Sequence, residues 1–429
     1  MQIKVIGSTK VGYELPKDEA ILFSGKSAGI CYLPDTVEKL MAEPEEKTLR
    51  RANSNIELGH HSVFGHVTYN LILEGVPKIL AMVLNNEKAY TTSEKSARYT
   101  VMQVNAPEKN QSIDESGQKE NEEVEKLSVE EVTDEDVATD QDSSDENEVV
   151  IPITPKEKEL YEKWCKIFQE RIKEVYPNFA QRNIEKLAQE NARYLISVFT
   201  PATTLEYTAS FQQLNYIINW AKEYIKRAPD DLFSLKLKKA FQDFLEVFPD
   251  LEVEGLNSSM KQRQFSLFAT RMRSEEFGEN YSTSYYASFA QLAQAQRHRT
   301  LSYEMLISDI KKFYIPHIIE QTKWESEWIK DINSLEENFP QGMMVWVNER
   351  GTIENFVLKC SERLCGAAQL EIAERTALTL EKYEKAVENK PELANYLKPY
   401  TKGARCTFPG WKCTKSCIFG PKYALNRTI

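Results

Sequence analysis

Between residues 108 and 148 the chain carries 17 Asp and Glu residues against Lys109, Lys119 and Lys126. The stretch is Ser-rich and poor in aromatic residues. So little apolar surface cannot offset the entropy lost on ordering a chain. Residues 105–152 are therefore expected to be a disordered acidic insertion, and a folded protein has to be assembled from the segments on either side. The formal net charge is −11. Setting the acidic stretch aside leaves about +3 for everything else, too little for the broad basic surface that duplex nucleic acid demands.

The remaining residues suffice for a sizeable core in two or three domains. Of 429 residues 41% are hydrophobic, with 20 Tyr and 19 Phe. No run of 18 apolar residues occurs, so no membrane-spanning helix is expected. Met1–Ile6 reads as a first strand rather than a signal peptide. Seven cysteines, an odd number, fit reduced thiols in a cytoplasmic protein.

Patterning along the chain predicts mixed structure. Leu22–Tyr32 is small and mixed, and residues 35–57 read as helical. Residues 67–73 alternate β-branched and aromatic residues and read as a strand that Gly75 and Pro77 break. A helix is expected from Lys78. Further helices are expected over 156–198, 204–226 and 283–299, with one long helix over 351–388 interrupted only by Gly366. A charged helical bridge reaches about residue 250. Residues 265–271 fit a strand or a helix equally.

Gln294–Glu304 reads Gln-Ala-Gln-Arg-His-Arg-Thr-Leu-Ser-Tyr-Glu. On a helix Gln291, Gln294 and Arg297 share one face. Two guanidiniums around an imidazole suit a phosphate, a carboxylate or a polar heterocycle. The plainer alternative is a set of cations completing the dipole of a helix C-terminus. His60, His61 and His66 lack the helical spacing of zinc enzymes. Cys406, Cys413 and Cys417, with Cys365 or Cys360, have the number of thiols for a zinc or iron–sulfur site. Their spacing contains no Cys-x2-Cys pair, and free thiols fit equally.

Taken together, these segments resemble the flavin-dependent thymidylate synthases, as two copies in tandem. The family signature is Arg-His-Arg, seven residues, then Ser within Glu-x-Ser-x-Arg-Tyr, with a Gln three before the first Arg. A Phe-x-His segment lies upstream and a helix with Arg and Ala-Gln-x-Glu-Ile lies downstream. The second copy keeps Gln294, Arg297, His298 and Arg299, and Arg363 with Ala368-Gln369-Leu370-Glu371-Ile372, but has Ile307 where the Ser belongs. The first copy keeps Phe64-Gly65-His66 and Glu94, Ser96, Arg98 and Tyr99, but has Asn86-Glu87-Lys88 where Arg-His-Arg belongs. Its segment Tyr207–Leu214 resembles the family's Thr-x-Asn-x-Arg-Ser-Leu without the Asn and Arg. Each copy retains the half of the signature that the other has lost.

The resemblance implies an α+β fold, each copy a small curved, mainly antiparallel sheet flanked by long helices. Residues 1–104 with 153–235 would form the first module, 255–400 the second and 401–429 a cysteine-bearing tail. It implies a methyltransferase that converts dUMP to dTMP with FAD as cofactor and methylenetetrahydrofolate and NADPH as co-substrates. His66, Glu94, Arg297, His298 and Arg299 would hold the flavin. Ser96, Arg98, Gln294 and Arg363 would hold dUMP, with Ser96, Arg98 and Arg363 at the chemistry. Cys365, Cys406, Cys413 and Cys417 remain the candidate metal ligands. The family's tetramers would become a homodimer of two-copy chains. The alternative is a non-catalytic or repurposed flavin- or nucleotide-binding relative.

Overall fold

Sheets form where buried and open residues alternate. A computed structural model describes residues 15–30, 37–94, 154–257, 264–413 and 417–429 of the protein. In β3 (Pro201–Ser210) Thr203, Leu205, Tyr207 and Ala209 are buried, and in β5 (Asn280–Ser288) so are Tyr281, Thr283, Tyr285 and Ala287. A period of two puts each set on one face, as a sheet requires. Both strands turn directly into helices, because their last residue is an N-cap. Ser210 accepts from Gln213 N at 3.1 Å to start α7 (Phe211–Arg227), and Ser288 accepts from Gln291 N at 3.0 Å to start α9 (Phe289–Ala295). Thr352 ends β7 (Met344–Thr352) and caps α11 (Ile353–Arg363) in the same way.

The two halves repeat one connectivity. In the first, β1 (Thr68–Pro77), α4 (Lys78–Asn86) and β2 (Tyr90–Glu94) are followed by a long connection, then β3 and α7. In the second, β5, α9 and β6 (Ser302–Leu306) are followed by a long connection, then β7 and α11. The last strand enters the middle each time, antiparallel to both neighbours, giving β1-β3-β2 and β4-β5-β7-β6, with β4 being Glu276–Phe277. The fold is α+β, as expected. One hydrophobic core joins the sheets through Leu84, Tyr207, Tyr303 and Val347. Helices of the two long connections make a second core, where Trp164 of α5 (Pro155–Val175) packs edge-on against Trp328 of α10 (Lys323–Asn333) with ring centroids 4.8 Å apart. α6 (Gln181–Ala192) closes that layer, and α8 (Leu232–Glu246) covers the first sheet's helix α7.

Four helical expectations are corrected. Residues 204–226 are the end of β3 and α7, and residues 283–299 are most of β5, then α9 and a turn. Tyr, Gln and Ala suit a helix by composition, but the strict alternation decides for strand up to each cap. Residues 351–388 form α11 and α12 (Leu370–Ala386), separated at 364–369. There a Cβ on Gly366 would lie 2.4 Å from Cys417 Sγ, so the tail packs directly against this break. The expected 156–198 helix is likewise α5 and α6 with a break before Gln181. Residues 22–29, part of the stretch read as mixed, lie in helix α1 (Lys17–Gly29), and α2 (Val37–Met41) and α3 (Glu45–Glu57) lie in the helical stretch that followed. Residues 265–271 form neither named element, touching β6 only through a Phe268↔Met305 bridge. The expected first strand at Met1–Ile6 and the acidic insertion lie outside the described residues.

His317 ties the segment before α10 to α12. Its Nδ1 is 2.5 Å from Glu320 Oε2 and its Nε2 is 2.7 Å from Glu374 Oε1. The bond to Glu374, aided by Glu320, outweighs burial and lifts the imidazole to about 9. A raised folded-state value stabilises the fold fully below the unfolded value near 6.5, and that stability is lost as pH rises through 9. With a third of the side chain open to solvent, the effect is expected on the order of 1 kcal/mol. Urea midpoints of the wild type should fall between pH 6 and pH 9.5, flanking the value of about 9, by more than those of His317→Asn. Parallel curves for the two proteins would refute the contribution.

Candidate active site

The Arg-His-Arg segment does not continue α9. The helix ends at Ala295 with Gln296 as its C-cap, and Arg297, His298 and Arg299 form the turn into β6. Gln291, Gln294 and Arg297 therefore do not share a helical face. Gln291 is fully buried, Gln294 half-buried and Arg297 exposed.

This turn meets the end of β2. Arg297 Nη2 lies 2.6 Å from Glu94 Oε2, and Glu94 Oε1 takes Lys78 Nζ at 2.5 Å from the first residue of α4. Asn85 Nδ2 donates to Glu94 Oε2 at 3.1 Å. The carboxylate is only 2% exposed. Burial opposes its charge, but Lys78 and Arg297 outweigh burial and hold it below the usual carboxylate range. Burial lowers Lys78, with Glu94 opposing and the fields of Arg297 and Arg193 adding to the fall. Two cations thus hold one acid, with the charge of Arg193 felt at Lys78. Arg299 donates to the Tyr90 carbonyl, and its guanidinium lies 5.3 Å over the Tyr90 ring.

Behind the turn, Arg363 at the end of α11 donates from Nε to His298 Nε2 at 2.7 Å and from Nη2 to the Gln294 carbonyl at 3.3 Å. Burial first, then Arg363 and Lys359, press the His298 imidazole down to about 2, so it is neutral. Gln369, at the N-cap of α12, accepts from Arg193 Nη2 at 2.7 Å and from the Gln294 amide, and donates to Tyr194 Oη. Tyr194 donates to Glu371 Oε2 at 2.9 Å, and Glu371 also receives Ser288 N at 2.8 Å and Ser288 Oγ at 2.5 Å. Burial raises Glu371 while these donors oppose the rise. Arg193, Tyr194 and Lys78 come from the first half, and Gln294, His298, Arg363, Gln369 and Glu371 from the second.

The sequence did not single out Lys78 or Arg193. Each had only a local cue: Lys78 follows Pro77 at a helix start, and Arg193 sits in the apolar run Ala192–Val198. Ser96 and Arg98 lie outside the described residues, two and four positions beyond the end of β2. His66 is exposed at the other end of the first sheet. It precedes the pair Thr68↔Ser210, while Glu94 pairs with Leu205. Five residues of strand put about 17 Å between those rungs, so one chain does not bring His66 to Glu94 and Arg297.

The corresponding turn of the first half is occupied by the protein itself. Asn86 Nδ2 donates to Ser266 Oγ at 2.8 Å and to the Tyr303 carbonyl at 3.0 Å, and Glu87 Oε1 accepts from Ser266 N at 2.9 Å. Lys88 Nζ donates to the Arg299 carbonyl at 2.8 Å and to the Leu301 carbonyl. Ile307 lies just past β6, partly exposed.

Among the described residues no three of the candidate cysteines converge. Cys365 is buried, Cys406 and Cys417 half-buried and Cys413 exposed. Among the described residues no group of three or more His, Cys, Asp or Glu is placed to hold a metal ion. The expected thiolate site is therefore not formed by the described cysteines. Nor is any described helix long and apolar enough to cross a membrane.

With this geometry in hand, comparison with known families gives one match. The model of the family described as thymidylate synthase complementing protein matches residues 18–219. That family is the flavin-dependent thymidylate synthases, and residues 18–219 of the chain are similar to it. The match takes in the whole first sheet, with Lys78, Glu94 and Arg193. The match ends at residue 219, before the second half, which repeats the connectivity of the first. No curated protein and no solved structure matched the chain.

Proposed function

We propose that the protein is an FAD-dependent thymidylate synthase that methylates dUMP reductively to dTMP with methylenetetrahydrofolate and NADPH. One composite site would lie at the junction of its two halves. The observation that carries this reading is the Arg297–Glu94 ion pair, which joins the half-signature of the second half to that of the first. The cation-rich donor set suits FAD and a nucleotide phosphate, since exposed guanidiniums present paired N–H donors to anionic oxygens. Arg297 and Arg299 would hold the flavin, with Glu94 orienting Arg297. Bound there, FAD supplies the hydride. Ser96, Arg98, Arg193, Gln294 and Arg363 would hold dUMP, and guanidiniums near the pyrimidine would favour a developing oxyanion. His66 would serve the site of a second chain in a homodimer.

Purified protein is expected to be yellow and to support growth of a thymidine-requiring host, and Arg297→Ala is expected to fail that host. A colourless preparation that stays so after incubation with FAD would reject the flavin reading. The occupied Asn86–Lys88 turn favours a second reading, a flavin- or nucleotide-binding relative without catalysis. A yellow protein that binds dUMP but does not support growth would select it.

A further inference from the structure

His298 lies between two exposed arginines, yet it is only 7% exposed itself. Its Nε2 sits 2.7 Å from Nε of Arg363, a residue 65 positions away at the last turn of α11. An arginine Nε always carries a proton, so the imidazole nitrogen is the acceptor and its own proton belongs on Nδ1. We propose that His298 is a positioning residue, whose Nε2 lone pair fixes the Arg363 guanidinium for the nucleotide, rather than a ligand of the flavin. The inference rests on the composite site above and assigns one of its residues a different task.

Three observations support it. Arg363 is held twice from the same turn, through Nε by His298 and through Nη2 by the Gln294 carbonyl, and two bonds to a planar fork set its orientation. The groups around the imidazole favour its neutral, accepting form. Arg363 and Lys359 are cationic, and the facing acid, Glu362, is 3.8 Å from Nδ1 and 64% exposed. Finally, Arg363 ends its helix, and the chain leaves helical geometry at Leu364. An unanchored side chain there would have many rotamers to lose on binding an anion.

The test uses the full chain. His298→Leu removes the acceptor, and His298→Gln restores an oxygen acceptor on a side chain of similar reach. Flavin content is read by visible absorbance, and dUMP affinity by equilibrium dialysis. His298→Leu is expected to weaken dUMP about 10- to 100-fold with flavin content near wild type. His298→Gln is expected to recover most of that loss. Equal losses in both variants, or loss of flavin with dUMP affinity retained, would overturn the assignment. A wild-type chain that takes up no dUMP would instead count against the nucleotide reading. The contact itself is then read by the ring nitrogens of His298 in 15N spectra. An unprotonated Nε2 between about pH 5 and 8 supports it, and a ring that titrates near its ordinary value overturns it.

Discussion

Replacing Lys359 by Met is expected to destabilise the protein by about 3–5 kcal/mol. Lys359 Nζ lies 2.6 Å from Glu349 Oε2, and both side chains are fully buried in the second half, between β7 and α11. Tyr281 Oη donates to Glu349 Oε1 at 2.7 Å and Tyr285 Oη to Oε2 at 2.5 Å. Burial, followed by the field of Glu349, pushes both phenols well above their usual range, so they remain neutral donors. Two neutral hydrogen bonds do not replace a cation, and Met would leave a buried carboxylate without its counter-charge. Urea unfolding of the two proteins measures the loss. A change below about 1 kcal/mol would mean that water or a rearranged donor reaches Glu349. The pair also predicts a non-additive cycle: Glu349→Leu with Lys359→Met should be more stable than Lys359→Met alone, because no charge remains to be buried.

That network shows what the sequence could and could not disclose. Glu349 and Lys359 are ten apart and one lies on a strand, so no helical spacing links them. Their pairing depends on α11 packing back over β7, and the Tyr281 and Tyr285 bonds depend on β7 entering the sheet beside β5. Tyr281, Tyr285 and Thr283 did carry a local signal, the alternation of β5, but Ala- and Gln-rich α9 masked it in a composition-based reading. Where one residue type dominated a short segment, the pattern was legible: β1 and α4 fall close to where alternation and Pro77 place them. The site divides along the same line. Arg297, His298, Arg299, Glu94 and Arg363 belong to short contiguous signatures and stood out. Lys78 meets a carboxylate and Arg193 meets Gln369, each on another segment, and only the fold supplies that proximity. His298 shows the limit of motif reading, since its neighbours are exposed and its partner is a distant arginine.

The halves are also unequal as binding surfaces, and this sets the largest functional prediction: one FAD and one dUMP per chain. At the Arg297–Glu94 junction, Lys78 and Arg297 hold one carboxylate, with Arg193 acting on Lys78 and Arg363 held behind. At the other turn Asn86, Glu87 and Lys88 are spent on Ser266, Tyr303, Arg299 and Leu301, and Glu87 would repel a phosphate. Two or three missing charge-assisted bonds at about 1.5–3 kcal/mol each weaken a ligand by several orders of magnitude. Titration to two flavins per chain with equal affinity would eliminate the single-site reading. Mixing inactive variants tests where each group acts. Arg297 and Glu94 meet within one chain, so Arg297→Ala and Ser96→Ala chains, co-refolded, should stay inactive. His66 lies at the far end of its sheet and is assigned to a partner's site. Co-refolded His66→Ala and Arg297→Ala chains should therefore regain about a quarter of wild-type activity, since half of randomly paired two-fold dimers are mixed and each mixed dimer holds one complete site. Recovery in the first mixture would mean that the two half-signatures are joined between chains, and no recovery in the second would remove His66 from the partner's site.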